Sequence, residues 1–158
     1  IFVEKTLGDV LAIGVEYVPQ ALETETAESA RNHITTAHQE VRTRVENKIQ
    51  VDFEDLTTYY VTARMGENLY VKAGMATVEI ITNESLGTGG SYGNTDMDGS
   101  VFGVGYNYTT DNGAFIRVEG NYMTFDGTSL TNNNDSEKVV KLKNLDGVSG
   151  KISIGKSF

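Results

Sequence analysis

The sequence has no cysteine and no tryptophan, and it has a single proline. Without cysteine it can form no disulfide, no thiolate metal site and no cysteine nucleophile. No apolar run approaches the ~20 residues of a membrane-crossing helix. Basic residues are scarce: 13 Lys and Arg stand against 22 Asp and Glu, a formal net charge of −9. Phosphate binding needs a basic patch, so this balance argues against a nucleic-acid partner. Ile1–Phe2–Val3 lacks both the basic start and the cleavage site of a signal peptide. The chain opens inside a strand-like pattern, the expectation for a processed or incomplete version of a longer precursor.

Gly and Tyr are abundant, and Asn and Thr cluster. That profile favours strands joined by polar loops over a helical bundle. Ile1–Leu7 reads as the end of a strand and Gly8–Asp9 as a tight turn. DVLAIGVEYVPQ then places Leu11, Ile13, Val15 and Tyr17 on one face, with Ala12, Gly14 and Glu16 on the other, a period of two. Pro19 falls near the strand end, where a missing N–H is tolerated. Residues 22–44 are polar and mixed in charge. Ala30, Ile34, Ala37 and Val41 have helical spacing but form a thin stripe, so the segment is expected to be a long loop with some helix. From Val45 the alternation returns: Val45, Ile49, Val51, Phe53, Tyr59, Val61, Ala63 and Met65 share a face. This strand is roughly three times the usual five or six residues. After Gly66–Asn68 the chain runs back through NLYVKAGMATVEIIT, with a phase slip expected near Val78–Ile81 from a bulge.

Residues 83–99 read as a second loop. SVFGVGYNYTT and GAFIRVEGNYMTF form a hairpin around the Asn112–Gly113 turn signal. Residues 127–137 read as a third loop, and Lys138–Phe158 as one strand kinked near Asp146. The alternative is a hairpin turning at Leu145–Gly147. The turns at one end are short (Gly8, Gly66, Asn112) and the connections at the other are long.

In a soluble β-barrel the apolar face points inward. Here the face opposite the apolar one combines charges with many glycines on very long strands. A transmembrane barrel accounts for both, because lipid requires an apolar exterior and closure leaves no backbone group unpaired. Tilted spans need about 9–11 residues and longer strands project as hairpins. Tyr17, Tyr59, Tyr106, Tyr108, Tyr122 and Phe158 are placed to form interfacial girdles.

With its short turns, long opposite loops and final strand KISIGKSF, the chain resembles small bacterial outer-membrane β-barrel proteins of the OmpA transmembrane-domain and opacity-protein type. The resemblance spans nearly the whole sequence. It implies an all-β, antiparallel up-and-down transmembrane barrel of eight strands. Seven long strands are legible, so a further strand is expected upstream of Ile1. It also implies that Phe158 is the assembly signal read by the outer-membrane insertion machinery. Lys156 departs from the pattern by falling on the lipid face, near an end where it can snorkel.

On the opposite face Glu4, Lys72 and Arg117 are expected at one depth. Glu16, Glu119 and Lys151 form a second tier, with Arg64 near the mouth. One reading is a lumenal ion-pair network that plugs or gates a narrow channel, as the resemblance suggests. The other is that these charges fill a closed barrel and satisfy one another. Asn94–Gly99 resembles the start of a calcium loop, but its twelfth position is Gly105 rather than Glu, so an acidic surface loop is the better reading. His33 and His38 lack the i, i+4 spacing of a helical metal pair. Gly87–Gly90 lacks the Lys-Ser/Thr of a phosphate loop. No motif frames a nucleophile.

The leading expectation is therefore a non-enzymatic outer-membrane protein needing no cofactor. Its partners would be outer-membrane lipid and the insertion machinery. Its role would be structural, narrow-pore or surface-interacting. One alternative is a soluble lipocalin-like ligand-binding barrel, with Leu11, Ile13, Val15, Val51 and Phe53 inward and Glu16 and Arg117 in water. Another is an adhesin or phage receptor acting through loops 22–44, 83–99 and 127–137.

Overall fold

Period-two patterning drives almost the whole chain into strands. The computed structural model describes residues 1–19, 22–23, 25–34, 42–86, 90–137 and 139–158, and no helix occurs among them. The strands are β1 Phe2–Leu7, β2 Leu11–Val18, β3 Leu22–Glu23, β4 Ala27–Ile34, β5 Arg42–Met65 and β6 Leu69–Leu86. After these come β7 Thr95–Thr109, β8 Ala114–Phe125, β9 Ser129–Thr131, β10 Val139–Lys141 and β11 Leu145–Lys156. Seven strands pair antiparallel in the order β1-β2-β5-β6-β7-β8-β11, with β3 and β4 on the outer part of β5 and β9–β10 in a small separate sheet. β1 and β11 are the two edges. They are not hydrogen-bonded to each other, so the sheet is curved but not closed.

The long connections are shorter than the sequence indicates. Residues expected to form loop and helix instead form β4, which pairs with Arg42–Ile49 of β5. Ala30 and Ile34 of the thin apolar stripe lie in this strand, where pairing with a neighbour outweighs weak helical spacing. Ala37 and Val41 fall outside the described residues. β6 continues to Leu86 and β7 begins at Thr95, which narrows the second connection. The third contains the β9–β10 hairpin.

Lys138–Phe158 is neither of the two forms expected. β10 pairs with β9, the chain leaves strand geometry through Leu142–Asn144, and β11 then pairs with β8 from Leu145 to Lys156. No hairpin turns at Leu145–Gly147. Asn144 and Asp146 disturb the pattern because β11 starts there rather than passing through.

β5 departs most from its sequence pattern. Glu54 pairs with Glu79 but Thr57 with Thr77, so Asp55 and Leu56 together oppose Val78. Asp55 has φ 54°, a left-handed conformation that aspartate enters more readily than most residues. The extra residue inverts the faces. Tyr59, Val61 and Met65 stay exposed outside. Val51 and Phe53 turn inward onto Val78, Ile80 and Met97, joined there by Leu56, Phe125 and Leu142. The slip expected on β6 thus lies on its partner. β6 keeps its alternation with Tyr70, Lys72, Ala76, Val78 and Ile80 all buried. Only the chemistry of that buried face changes.

Candidate functional site

Below the bulge, toward the short turns, the sheet is apolar outside and charged inside. Val15, Ile13, Val71, Val104, Ile116, Val118, Ile152 and Ile154 are exposed, Ile154 by 81%. Glu16, Thr58, Thr62, Lys72, Arg117, Glu119 and Asn121 are buried, with Lys72 and Glu119 at 4% and 3%. The exterior turns polar at a definite level. Tyr59, Met75 and Phe102 are succeeded toward the long connections by Thr57, Thr77 and Ser100.

The inward side chains form two linked groups. Lys72 on β6 donates to Glu16 on β2 and to Glu119 on β8, each at 2.9 Å. Lys151 on β11 reaches Glu16 at 2.6 Å and Glu119 at 2.9 Å. Glu119 also accepts from Asn121 at 3.0 Å and from the Tyr70 hydroxyl. Arg117 grips Glu4 of β1 with two bonds of 3.0 Å and donates to Asn107 at 3.2 Å. The Tyr60 hydroxyl donates to Glu4 at 3.2 Å. Bidentate guanidinium–carboxylate pairing is the strong, directional form of such contact. Aromatic rings floor the network. Lys72 Nζ lies 4.4 Å from the Tyr60 centroid, and the Arg117 guanidinium 4.9 Å from those of Phe2 and Tyr70.

Local backbone makes room for this. Gly14 and Gly74 flank Tyr60 as cross-strand partners, and Gly105 stands opposite Tyr70. A Cβ on Gly14 or Gly105 would run into those rings. Glycine lets each tyrosine lie flat across its neighbour, so the hydroxyl reaches an acid two or more strands away.

The seven expected inward residues are therefore distributed differently from the two proposed tiers. Lys72 joins Glu16, Glu119 and Lys151 rather than Glu4 and Arg117, because the curved sheet brings β6 over β2 and β8. Arg64 is exposed at the short-turn mouth, beside a polar vestibule of about 360 Å³. Sequence reasoning missed Tyr60, Tyr70, Asn107 and Asn121. The available signal was an aromatic on the polar face with a glycine on the next strand.

Leu11, Ile13 and Val15 face outward while Glu16 and Arg117 are buried, the reverse of the lipocalin-like arrangement in this half. Val51 and Phe53 alone take the inward position that arrangement gave them. Phe158 is fully exposed, and Tyr106 and Tyr108 near the same end are about half exposed, at 46% and 54%. Tyr17 and Tyr59 lie toward the long connections, and Tyr122 between.

The calcium-loop candidate is strand from Thr95 onward, and Asp98 accepts from Thr77 at 2.8 Å. No group of His, Asp and Glu able to hold a metal occurs among the described residues. His38 and residues 87–89 lie outside them. The geometry offers mutual neutralisation and packing. No family model matches the chain, and no curated protein or solved structure matches it either.

Proposed function

We propose that the protein is an integral outer-membrane β-barrel of a Gram-negative-type envelope. Its seven strands are completed to eight, and its role is structural and surface-facing rather than enzymatic. The carrying observation is the inside-out distribution below the bulge: aliphatic side chains exposed on the outer face, with Glu16, Lys72, Arg117 and Glu119 buried and Glu4 and Lys151 half-buried behind them. Water would reward the opposite arrangement, whereas hydrocarbon rewards this one. Phe158 stands free at the end of a lipid-facing strand, as an assembly signal must.

The interior favours a filled barrel over a conducting pore. On the long-connection side of the ion pairs, Val101, Ile80 and Met97 are fully buried. Among the described residues a charged layer is followed by an apolar one, an order that favours a filled interior. Beyond the exterior boundary β5 still extends from Glu54 back to Arg42, a span of roughly 40 Å at the usual strand rise. Such a projecting blade supports a surface-interaction role.

Membrane fractionation tests the reading. The protein should stay with membranes through salt and carbonate washes and leave only with detergent. Release into plain buffer as a folded monomer would sink it. In planar bilayers no steady ohmic conductance is expected, and a stable open channel would remove the filled-interior part.

A further inference from the structure

Resting on the membrane-barrel reading, one surface of the molecule can be specified further. β1 and β11 each have one hydrogen-bonded neighbour. Ile1 and Tyr17 exchange both backbone bonds at 2.8 Å, so in the antiparallel alternation Phe2, Glu4 and Thr6 direct their N–H and C=O groups away from β2. Ser157 bonds Gly113 at 2.8 Å, which likewise leaves Val148, Gly150, Ile152, Ile154 and Lys156 directed away from β8. Between the edges a cavity of about 830 Å³ opens, lined among others by Phe2, Glu4, Phe115, Arg117, Ser153 and Phe158. The edges do not drift apart, because Arg117–Glu4 and Lys151–Glu16 cross the gap.

We propose that this slot is an acceptor for a single β-strand running antiparallel to both edges, with small uncharged side chains inward and apolar ones outward. Direction follows from topology. Seven antiparallel strands in sheet order make the first and last run the same way, so one strand of opposite sense pairs with both. A second copy in the same membrane orientation could offer either edge only in parallel. Charge follows from the network. Glu4, Glu16 and Glu119 are matched by Lys72, Arg117 and Lys151, so an inward charge on the occupant would be buried without a partner. Small size follows from Phe2, Phe115 and Arg117, which crowd the inner wall. The outward pattern follows from Val3, Val148, Ile152 and Ile154, all exposed beside the slot.

The test uses the full chain refolded in detergent micelles and a synthetic ten-residue strand alternating Ser or Ala with Leu or Val. A control peptide carries Glu in place of Ser. Amide hydrogen exchange is read on Phe2, Glu4, Thr6, Ile152 and Ile154. The neutral peptide should slow exchange at both edges by about tenfold or more, and the Glu peptide should not. Equal protection by both peptides overturns the inward-charge argument. Protection that rises with protein concentration alone identifies a second copy as occupant and overturns the proposal. So does a disulfide formed readily in the folded Val3→Cys/Ile154→Cys variant, since it means the edges close on each other. Failure of the membrane reading appears separately, as a chain that stays folded without detergent.

Discussion

Lys151 donates to both carboxylate oxygens of Glu16 at 2.6 Å across the one gap where the seven-stranded sheet lacks backbone pairing. The two residues are 135 positions apart in sequence, so the contact ties the last strand to the second. Lys151→Met should loosen this end. A quarter of its side chain is exposed, whereas Lys72 is at 2%. Lys72→Met should therefore cost more, about 3–5 kcal/mol against about 1–3 kcal/mol. Urea unfolding of the two variants in vesicles gives the order, and a reversed order would contradict the burial argument. Adding Glu119→Gln to Lys72→Met should recover part of the loss, because one uncompensated buried charge is removed with the other.

The bulge makes a second prediction. Asp55 is left-handed and its carboxylate accepts from the Tyr17 hydroxyl. Asp55→Asn and Asp55→Gly should be tolerated in backbone terms. Asp55→Val should lose at least about 1–2 kcal/mol, since a β-branched residue is disfavoured at positive φ. Deleting Asp55 should be worse than any substitution, because Val51 and Phe53 would leave the apolar cluster. Denaturant midpoints and folding yield check this. Equal stability of the deletion and Asp55→Gly would refute the role of the inserted residue.

A third concerns the tyrosine over Gly105. Gly105→Ala should destabilise by about 1–3 kcal/mol through overpacking. In Tyr70→Ala the same change should be nearly neutral, although that background is itself weakened by the lost bond to Glu119. A double-mutant cycle on unfolding free energies measures the coupling. Additivity would show that the ring does not occupy the space over Gly105.

Depth supplies a fourth. Val104→Arg places a charge in the exposed apolar band and should cost about 2–4 kcal/mol in a bilayer. Glu79→Arg, beyond the level of Thr77, should change stability much less. Similar penalties at both sites would mean that no hydrocarbon meets Val104.

Phe158 gives a kinetic prediction. Its side chain is fully exposed, so Phe158→Ser should leave unfolding in detergent nearly unchanged. In cells the same variant should accumulate unassembled. Normal assembly would remove the signal role.

Much of this was legible in the chain. The apolar and polar faces of β2, β7, β8 and the Val148–Ile154 part of β11 follow from alternation, and the three tight turns from Gly8, Gly66 and Gly113 at positive φ. Two kinds of feature were not. The bulge is invisible because residues on both sides of Asp55 are apolar at odd numbers, and only partner register shows that the faces exchange. The grouping of Lys72 with Lys151 depends on curvature, which pattern along a strand does not encode. β4 was hidden because pairing with the distant β5, rather than its own thin apolar stripe, holds it in strand form.

Under the membrane reading proposed above, the side of Asp55 toward the short turns meets oil and the side toward the long connections meets water, so one inserted residue stands at the border. Each two-residue step along β5 is about 7 Å, so in that reading the depth at which the protein floats follows from where the inserted residue stands as well as from how long its strands are.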